Sequence, residues 1–447
     1  MATTITSVAQ AATSPRSLQA TSTGRLWVAL GNTTANTIEF WYSDDSGATW
    51  TENTAAEIAW SGGQYVAFYI DADDHAHVAY DETGTVALKY RRNKSITTTS
   101  AWSSASTVDS TTASSYQWAD MVAHREGTGW KAHILYKRNT TNTDLMLYAP
   151  ITITSADVIT VETKVTVDSD VNASAGAGGI DFHHTASDEK AIQSSTPHLY
   201  MVWCDGALSV NFAKYTYSSG TWTAGTTRTI YTGAAAPSAQ MVFDGSRVII
   251  TLVDGANVGL FERDAADTTT TTRTATGSVV ATCVSYDNDS NVWIAGAYLG
   301  DLYVRKFVRS TLTWASLELV DTDNPVNPLS MRRTGGNTIA IAYTDTSGAG
   351  ARFDQTVNNV APSAPTWVNV DNVGADVGAA LTLDWNFVDG NLADTQTAYT
   401  LRRQIGAGSY AYWKASDSTW NASVQKITSA TSAVTLASGW GADGDDD

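Results

Sequence analysis

The chain has 447 residues, more than one ordinary hydrophobic core accommodates, so we expect either several domains or one large ring of repeats. Charged residues make up 16 % of the sequence, and the formal net charge is -18 at pH 7. This negative balance excludes nucleic acid and anionic membranes as partners, because both bind basic surfaces.

The N-terminal segment 1–17 lacks a basic region followed by an apolar core, and the chain contains no run of about 18 apolar residues. We therefore expect synthesis in a host cytoplasm without a signal peptide, and no membrane insertion. Cys204 and Cys283 stand far apart, outside any C-x-x-C or His/Cys pattern. They indicate neither a disulfide scaffold nor a zinc site, and the sequence suggests no cofactor.

The stretch from Ser43 to Trp50 fits the pattern S-x-D-x-G-x-T-W at every fixed position: Ser43, Asp45, Gly47, Thr49 and Trp50. Its Asp can accept hydrogen bonds from the backbone of a tight turn, and its Gly can adopt positive φ. The stretch resembles the Asp box of sialidase-type β-propellers. The resemblance implies a structural turn between the third and fourth strands of a blade, on the face away from the family's catalytic centre.

Alternating apolar strands that end in or near an aromatic residue recur along the chain at intervals close to the length of a four-stranded blade. They begin at Arg25, His75, Lys131, His198, Arg247, Asn291 and Asn337. Each follows or precedes a polar turn, as in DADDH from Asp71, FDGSR from Phe243 and YDNDSN from Tyr286. The pattern predicts an all-β fold with a seven-bladed β-propeller in residues 1–359.

Partial copies of the box end at Trp102, Trp222 and Trp314, which we expect to plug successive blades as Trp50 does. The last unit has only three evident strands, whereas the N-terminal segment has no partner. A ring leaves no open edge if that segment supplies the missing strand. We therefore predict that residues 4–10 pair with residues 351–354.

After Asn359 the segment APSAPTWVNV has the composition of a linker leading into a strand. The residues that follow include Asp384, Trp385, Asp389, Asp394, Thr395, Gln396, Tyr399, Leu401, Arg402 and Arg403. They resemble the fibronectin-III or Ig-like modules of minor tail proteins of actinobacterial siphophages. The resemblance implies a β-sandwich module in residues 360–447. About five strands are evident where such a sandwich has about seven, so we expect a truncated module.

Sialidase-type catalysis would require three arginines around a carboxylate, and the family places the first in an R-I-P motif. This chain has SPRSL with Arg16 instead. Arg16, Arg125, Arg332 and Arg333 could approach the propeller axis, but the departure from the motif argues against the family's activity. We expect no enzyme activity and assign no catalytic residue.

All seven histidines fall in the predicted second to fourth blades, and DADDHAHVAYDE from Asp71 places Glu82 at the twelfth position of a calcium loop. The loop lacks Gly at its sixth position, and isolated strand histidines are usually packing residues. We assign no metal site. Carboxylates also follow the second strands and could form an acidic ring, although Asp is common in hairpins. They are Asp81, Glu82, Asp144, Asp205, Asp254, Asp301 and Asp345.

Aromatic rings can stack on the apolar face of a sugar while amides and carboxylates bind its hydroxyls. The candidates nearest predicted loops are Trp60, Tyr116, Gln117, Trp118, Asp120 and Trp130. The sequence therefore favours a non-enzymatic tail-tip protein of a virion that contributes to attachment to a host cell-wall glycan. Its other partners would be tail-tip proteins, with the oligomeric state set by the virion. The alternatives are a carbohydrate-active hydrolase and a purely architectural tail subunit.

Overall fold

A computed structural model shows the described residues to be almost entirely β-strand, with a short 3-10 helix at Thr54–Ala56. The structure describes residues 3–6, 17–63, 65–83, 86–96, 102–110, 115–139, 144–169, 179–182, 198–218, 221–233, 238–244, 246–254, 257–264, 270–276, 283–298, 301–321, 327–335, 338–344, 350–356, 366–370, 381–386, 402–403, 411–414, 419–421 and 433–436. Within these ranges, no helix has the length and apolar character that a membrane span requires. The chain divides into two compact units, Met1–Thr356 and Val357–Asp447.

The first unit contains seven antiparallel sheets of four or five strands, and the first strand, β1 (Thr3–Thr6), belongs to the last of them. Blade 1 contains β2 (Leu18–Ala20), β3 (Leu26–Asn32), β4 (Thr37–Ser43), β5 (Thr51–Glu52) and β6 (Ile58–Ala59). Blade 2 contains β7 (Val66–Ile70), β8 (Ala76–Glu82), β9 (Ala87–Asn93) and β10 (Ser106–Asp109). Blade 3 contains β11 (Ser115–Glu126), β12 (Gly129–Asn139), β13 (Leu145–Ile153), β14 (Ile159–Val161) and β15 (Val165–Asp168).

The remaining blades follow the same order along the chain. Blade 4 contains β16 (Gly179–Phe182), β17 (His198–Cys204), β18 (Ser209–Ser218), β19 (Thr221–Ala224) and β20 (Arg228–Thr232). Blade 5 contains β21 (Ser238–Phe243), β22 (Arg247–Asp254), β23 (Asn257–Asp264) and β24 (Thr270–Thr276). Blade 6 contains β25 (Cys283–Tyr286), β26 (Val292–Tyr298), β27 (Asp301–Val308), β28 (Thr313–Trp314) and β29 (Glu318–Asp321). Blade 7 contains β30 (Asn327–Gly335), β31 (Thr338–Thr344), β32 (Ala351–Thr356) and β1.

The seven-bladed propeller predicted from the repeats is confirmed, because each predicted apolar strand is the second strand of one blade. These strands are buried on both faces; β3, for example, is buried along its whole length. A strand of this kind has apolar side chains at both alternating positions, since neighbouring blades cover its two faces. The hydrophobic cores accordingly lie between successive blades.

The N-terminal strand closes the ring. β1 pairs antiparallel with β32, with Thr3 opposite Phe353 and Thr6 opposite Ala351. The predicted pairing is thus confirmed for residues 4–6, whereas residues 7–10 lie outside the described part of the chain. The side chain of Ile5 is buried in the core shared by blades 1 and 7. Pairing β1 with the last blade of the propeller removes the open edges that an unclosed ring would expose.

The Asp box forms the turn between β4 and β5, which are the third and fourth strands of blade 1, as predicted. Asp45 accepts hydrogen bonds from the Thr49 backbone N–H at 2.8 Å and the Thr49 hydroxyl at 2.6 Å. The Ser43 hydroxyl donates to Asp45 at 2.7 Å and accepts from the Gly47 N–H at 2.7 Å. Together the bonds from Thr49 and Ser43 lower the pKa of Asp45 to about 2.

The box residue Trp50 contacts the preceding blade in the ring, its ring centre lying 5.1 Å from that of Phe353 in blade 7. Trp102 and Trp222 also pack on preceding blades, at 4.9 Å from Phe40 and 5.1 Å from His133. These packing roles confirm the predicted plugs for three of the four tryptophans. Trp314 packs 5.3 Å from Phe307 of its own blade, beside side chains of blade 5.

A five-residue turn with an Asp in first position recurs between strands. In three copies the Asp carboxylate accepts a hydrogen bond from the backbone N–H of the fifth residue, at 2.8 to 2.9 Å. The copies are Asp71–His75, Asp205–Ser209 and Asp287–Asn291, and their fourth residues have φ of 62°, 63° and 59°. The hairpins predicted from DADDH and YDNDSN are therefore correct, and their carboxylates stabilise the turns locally.

The second unit contains two small antiparallel sheets among its described residues. One contains β33 (Thr366–Val370), β34 (Leu381–Asn386) and β38 (Ala433–Leu436), and the other contains β35 (Arg402–Arg403), β36 (Ala411–Lys414) and β37 (Thr419–Asn421). The assignment to a fibronectin-III or Ig-like module stays a prediction. The residues from Asp389 to Leu401 that carried the resemblance lie outside the described ranges.

Candidate functional site

A cavity of about 310 Å³ lies on the propeller axis. It is lined from six blades, by residues 18–22, 69–72 with 74, 123–124, 240–243, 284–286 and 330–333. Each segment lies towards the end of the first strand of its blade or in the turn that follows. The first strands therefore surround the axis, and this axial cavity occupies the end of the channel at which they finish.

The axial cavity lies towards the same face of the propeller as the Asp box. In blade 1, β2 and β4 both pair antiparallel with β3, so they run in the same direction and end at the same face. The Asp-box turn follows β4, and the cavity segment 18–22 ends in the turn after β2. We call this side the Asp-box face. In the sialidase-type family, by contrast, the box lies away from the catalytic centre.

Two buried polar side chains of neighbouring blades face the axial cavity. Gln240 of blade 5 is 8 % exposed, and Ser285 of blade 6 is 5 % exposed. Neither side chain has a hydrogen-bond partner within the described part of the chain. Buried polar groups are nearly always hydrogen-bonded in proteins, so an amide and a hydroxyl in this position are suited to a polar ligand.

Blade 7 contributes two guanidinium groups to the same cavity. The Arg332 Nη1 donates a hydrogen bond to Gln19 Oε1 of blade 1 at 2.6 Å. The Arg333 Nη1 donates to Asn288 Oδ1 at 2.9 Å, and its guanidinium lies 5.1 Å from the ring centre of Tyr286. Two of the four arginines considered in the sequence thus reach the axis. Arg16 lies outside the described residues, and Arg125 instead lies 5.9 Å from the ring centre of Trp130.

Both carboxylates that line the axial cavity are engaged by neighbouring groups. Asp71 Oδ1 accepts from the backbone N–H groups of Asp73 and His75, both at 2.9 Å. Its Oδ2 lies 3.1 Å from ring nitrogens of His75 and His77. Burial acts to raise the pKa of Asp71, but the hydrogen bonds from the two histidines outweigh it and hold that pKa below its usual range. Asp74 accepts from the Ser22 N–H and hydroxyl, both at 2.6 Å.

Two buried histidines of blade 3 form a hydrogen-bonded chain that ends beside the axial cavity. Tyr148 Oη lies 2.7 Å from His133 Nδ1, and the Nε2 atoms of His133 and His124 are 2.8 Å apart. His124 Nδ1 lies 3.1 Å from the Arg125 carbonyl oxygen, which can only accept. His124 Nδ1 therefore donates to the carbonyl, so its Nε2 accepts from His133 Nε2. His133 Nδ1 in turn accepts from the Tyr148 hydroxyl. Both imidazoles are neutral.

The two histidines should make the propeller less stable in acid. Burial lowers the pKa of His124 to about 4 and that of His133 well below its usual value. Between pH 6.5 and about 4 the unfolded chain binds protons that the folded chain does not, so stability falls as the pH falls through this window. We expect a loss of about 2 to 3 kcal/mol per histidine between pH 7 and pH 4.5. Urea unfolding at both pH values measures it.

A His124→Asn, His133→Asn double variant provides the control for this prediction. It should lose stability at pH 7, because Tyr148 and the Arg125 carbonyl lose their partners, but its remaining dependence on pH should be much shallower. If the double variant and the natural protein showed the same slope, the acid sensitivity would have to originate in the carboxylates.

The sequence indicated that Arg332 and Arg333 could approach the axis but assigned no ligand site there, and the structure disperses the predicted glycan-site residues. Trp60, Tyr116 and Asp120 are buried, so they cannot stack on or bind a ligand from solvent. The Trp60 indole N–H donates to the Asp81 carbonyl oxygen at 2.6 Å, which ties the connection between blades 1 and 2 into the core. Gln117 and Trp118 belong to β11, but their side chains lie outside the described set.

Trp130 lies at the other end of blade 3 from the remaining candidates. It is the β12 partner of Arg125, whereas Tyr116 is near the start of β11, about 30 Å along the strand. The Trp130 ring lies between blades 2 and 3, with the Arg92 guanidinium 4.1 Å from its centre, and its N–H donates to Asp73 at 3.1 Å. Trp130 therefore joins two blades and does not form a site with Tyr116.

The acidic residues after the second strands lie on the face opposite the axial cavity, and three of them are tied to their own blades. Asp81 accepts from the Tyr65 N–H at 2.9 Å, Asp144 pairs with Lys137 at 3.3 Å, and Asp205 accepts from the Ser209 N–H at 2.8 Å. These contacts support the hairpin interpretation over an acidic ring. The Asp254 and Asp345 side chains lie outside the described set.

The calcium-loop spacing from Asp71 to Glu82 is not realised. The strand β8 occupies Ala76–Glu82, so the two carboxylates are separated by a strand of about 20 Å. Within the described ranges, no group of three or more His, Cys, Asp or Glu side chains is arranged to hold a metal ion.

No protein-family model matches the chain, and no curated protein matches its sequence. Among solved structures, the chain is similar to a mutant of the Aleuria aurantia lectin in complex with Fucα1-6GlcNAc, at 11 % identity and a TM-score of 0.43, over 66 % of this chain and 91 % of that one. It is similar to a streptogramin B lyase at 11 % identity and a TM-score of 0.45, over 80 % and 97 % of the chains. It is also similar to the Hadza microbial sialidase Hz136 at 10 % identity and a TM-score of 0.39, over 75 % and 73 %. Because these sequence identities and TM-scores are low, we assign the fold from the strand pairing of this chain alone. That pairing forms an all-β, seven-bladed propeller.

Proposed function

We propose that the propeller binds a saccharide in the axial cavity. The observation that carries this proposal is the pair of buried side chains Gln240 and Ser285 on the cavity wall, neither of which has a hydrogen-bond partner among the described residues. Amides and hydroxyls are the groups that bind sugar hydroxyls, and apolar side chains such as Val284 and Met241 provide surface for the C–H face of a ring. The cavity volume of about 310 Å³ is at the lower end of small-molecule sites.

Binding without catalysis is the mode that the cavity favours. A glycoside hydrolase generally uses two carboxyl groups that flank the scissile bond. Asp71 and Asp74 are the carboxylates of the described cavity wall, and each is held by the groups of a neighbouring turn. Neither is free to act as a general acid or as a nucleophile. We therefore propose a binding protein rather than an enzyme.

We also propose that the propeller is displayed on the tail tip of an actinobacterial siphophage, with a host cell-wall glycan and other tail-tip proteins as partners. The support is the resemblance of the stretch around Asp384 to Arg403 to modules of minor tail proteins. A tail tip carries several copies of its subunits, so weak contacts at each cavity would combine into firm attachment. A purely architectural role is the alternative that the following experiment tests.

The test measures binding of the labelled full-length protein to intact actinobacterial cells and to their isolated cell-wall polysaccharide. Gln240→Ala should weaken saturable binding about tenfold, the effect of losing one or two hydrogen bonds to a ligand. The matched control is Thr251→Ala. Thr251 is directly opposite Gln240 on β22, is fully buried with an unpartnered hydroxyl, and does not line the cavity.

Saturable binding that is reduced in Gln240→Ala but not in Thr251→Ala would support the axial site. A Trp118→Ala variant tests the start of β11, near the opposite end of the channel. Loss of binding in that variant alone would move the site there and contradict the proposal. If the folded natural protein bound neither cells nor polysaccharide, the saccharide-binding function would be wrong, and the architectural role would be favoured.

A further inference from the structure

We infer that the saccharide taken by the axial cavity is an acidic one, with its carboxylate beside Arg333 and its hydroxyls beside Gln240 and Ser285. The inference rests on the proposed function and specifies its ligand class. The three residues belong to blades 5, 6 and 7, which are consecutive in the ring, so they form one continuous arc of the cavity wall.

The guanidinium of Arg333 is positioned to receive an anion. It is exposed, and its Nη1 donates to Asn288 Oδ1 at 2.9 Å while the Tyr286 ring supports it from 5.1 Å. Within the described part of the chain, no carboxylate pairs with Arg333. A guanidinium has five N–H donors in a planar fork that matches the two oxygens of a carboxylate. A cation held in place but left without a counter-charge is suited to an anionic ligand.

The carboxylates of the described cavity wall, Asp71 and Asp74, belong to blade 2, two blades from Arg333 in the ring. Asp74 of blade 2 accepts from Ser22 of blade 1, and Asp71 accepts from two backbone N–H groups and lies beside ring nitrogens of His75 and His77. Their charge is therefore partly compensated by these neighbouring groups. This arrangement contrasts with the net charge of -18 for the whole chain. An anion that approaches an acidic protein is attracted where a local positive group is available, and Arg333 is the charged residue of the arc that lines the cavity. Asp287 and Asp289 lie in the turn beside it, on either side of its partner Asn288.

The buried polar side chains of the arc can bind the hydroxyls of the same ligand. Gln240 offers both donors and an acceptor, and Ser285 offers a hydroxyl that can donate or accept. A ligand bearing a carboxylate and several neighbouring hydroxyls, such as a uronic acid residue, can engage Arg333 and satisfy both buried side chains at once. A simple anion such as acetate would engage Arg333 alone, and a neutral hexose would engage only the two buried side chains.

The experiment compares two probes that differ only at C6: methyl β-D-glucuronide, which has a carboxylate there, and methyl β-D-glucoside, which has a hydroxymethyl group. Each is titrated against the full-length protein at low and at moderate ionic strength, with ligand-observed NMR as the readout. We expect the glucuronide to bind at least tenfold more tightly than the glucoside at low salt, with a smaller preference at higher salt.

Three variants test which residues produce the preference for the glucuronide over the glucoside. Arg333→Gln should reduce it to less than threefold while leaving glucoside affinity unchanged. Gln240→Ala should weaken both probes about equally. The control Arg228→Gln removes the same charge from β20, an outer strand of blade 4 outside the cavity wall, and should change neither affinity.

Equal binding of the two probes would contradict the acidic-ligand inference and leave the proposed saccharide binding intact. A preference for the glucuronide that survives Arg333→Gln would also contradict it, because the charge would then be recognised elsewhere. If neither probe bound while cell-wall polysaccharide still bound in a Gln240-dependent manner, the ligand class would be wrong. Failure of the polysaccharide to bind, by contrast, would contradict the proposed function itself.

Discussion

Replacing Ile5 by Asp is expected to open the propeller ring and to lower the free energy of unfolding of the propeller by about 3 to 5 kcal/mol. Ile5 is buried between blades 7 and 1, in the one strand that joins the two ends of the ring. A carboxylate in that position would lose its hydration without gaining a partner, and β32 would lose its neighbour on the edge. Urea unfolding followed by tryptophan fluorescence measures the change.

Thr4→Asp is the matched control for this prediction. Thr4 belongs to the same strand, pairs with Arg352, and is exposed to solvent. The same charge at Thr4 should change the unfolding transition by less than about 1 kcal/mol, because this side chain stays in contact with water and lies opposite Arg352. Equal effects of the two substitutions would show that β1 is not packed as the structure has it.

Gly47→Ala is expected to destabilise the propeller by about 2 to 5 kcal/mol, the sum of two effects. Gly47 has φ of 92°, a conformation that costs an L-residue about 1 to 2 kcal/mol. A Cβ at this position would also lie 1.9 Å from Cε1 of the Phe353 ring, so that ring or the Asp-box turn would have to move. Overpacking of this kind typically costs a further 1 to 3 kcal/mol.

Gly24→Ala separates these two contributions. Gly24 also has positive φ, at 87°, but a Cβ there would have no neighbour within 4 Å. This variant should show only the backbone cost, measured by the same unfolding experiment. Unfolding curves in which Gly47→Ala was no more destabilised than Gly24→Ala would contradict the close contact between the Asp box and blade 7.

The sequence contains enough information for the propeller because its repeat is local. The second strand of each blade is a contiguous apolar segment, so Arg25 or Asn291 marks a blade without reference to the rest of the ring. The Asp box is equally local, since Asp45 and Thr49 satisfy one another within a single turn. Closure was also predictable, because one unit lacked a strand and the N-terminus had one to offer.

The candidate site is different because it is assembled from residues far apart in sequence. Gln240, Ser285 and Arg333 meet only because seven blades form a ring, and no motif connects them. A usable signal was present: a polar residue such as Gln240 on the first strand of a blade, where the axis is the only open space. Trp60 and Tyr116 were predicted as binding residues because they lie next to predicted loops. In the structure both side chains are packed between blades.

Hydrogen exchange of the full-length protein with and without saturating cell-wall polysaccharide tests the central claim most directly, because it locates the occupied face. We predict slower exchange in the turns and strand ends around the axial cavity, at 21–24, 71–74, 284–290 and 330–335. The turns on the opposite face, such as 33–36 and 206–208, should exchange unchanged. Slowing confined to that opposite face, or to the unit after Thr356, would contradict the axial cavity as the saccharide site.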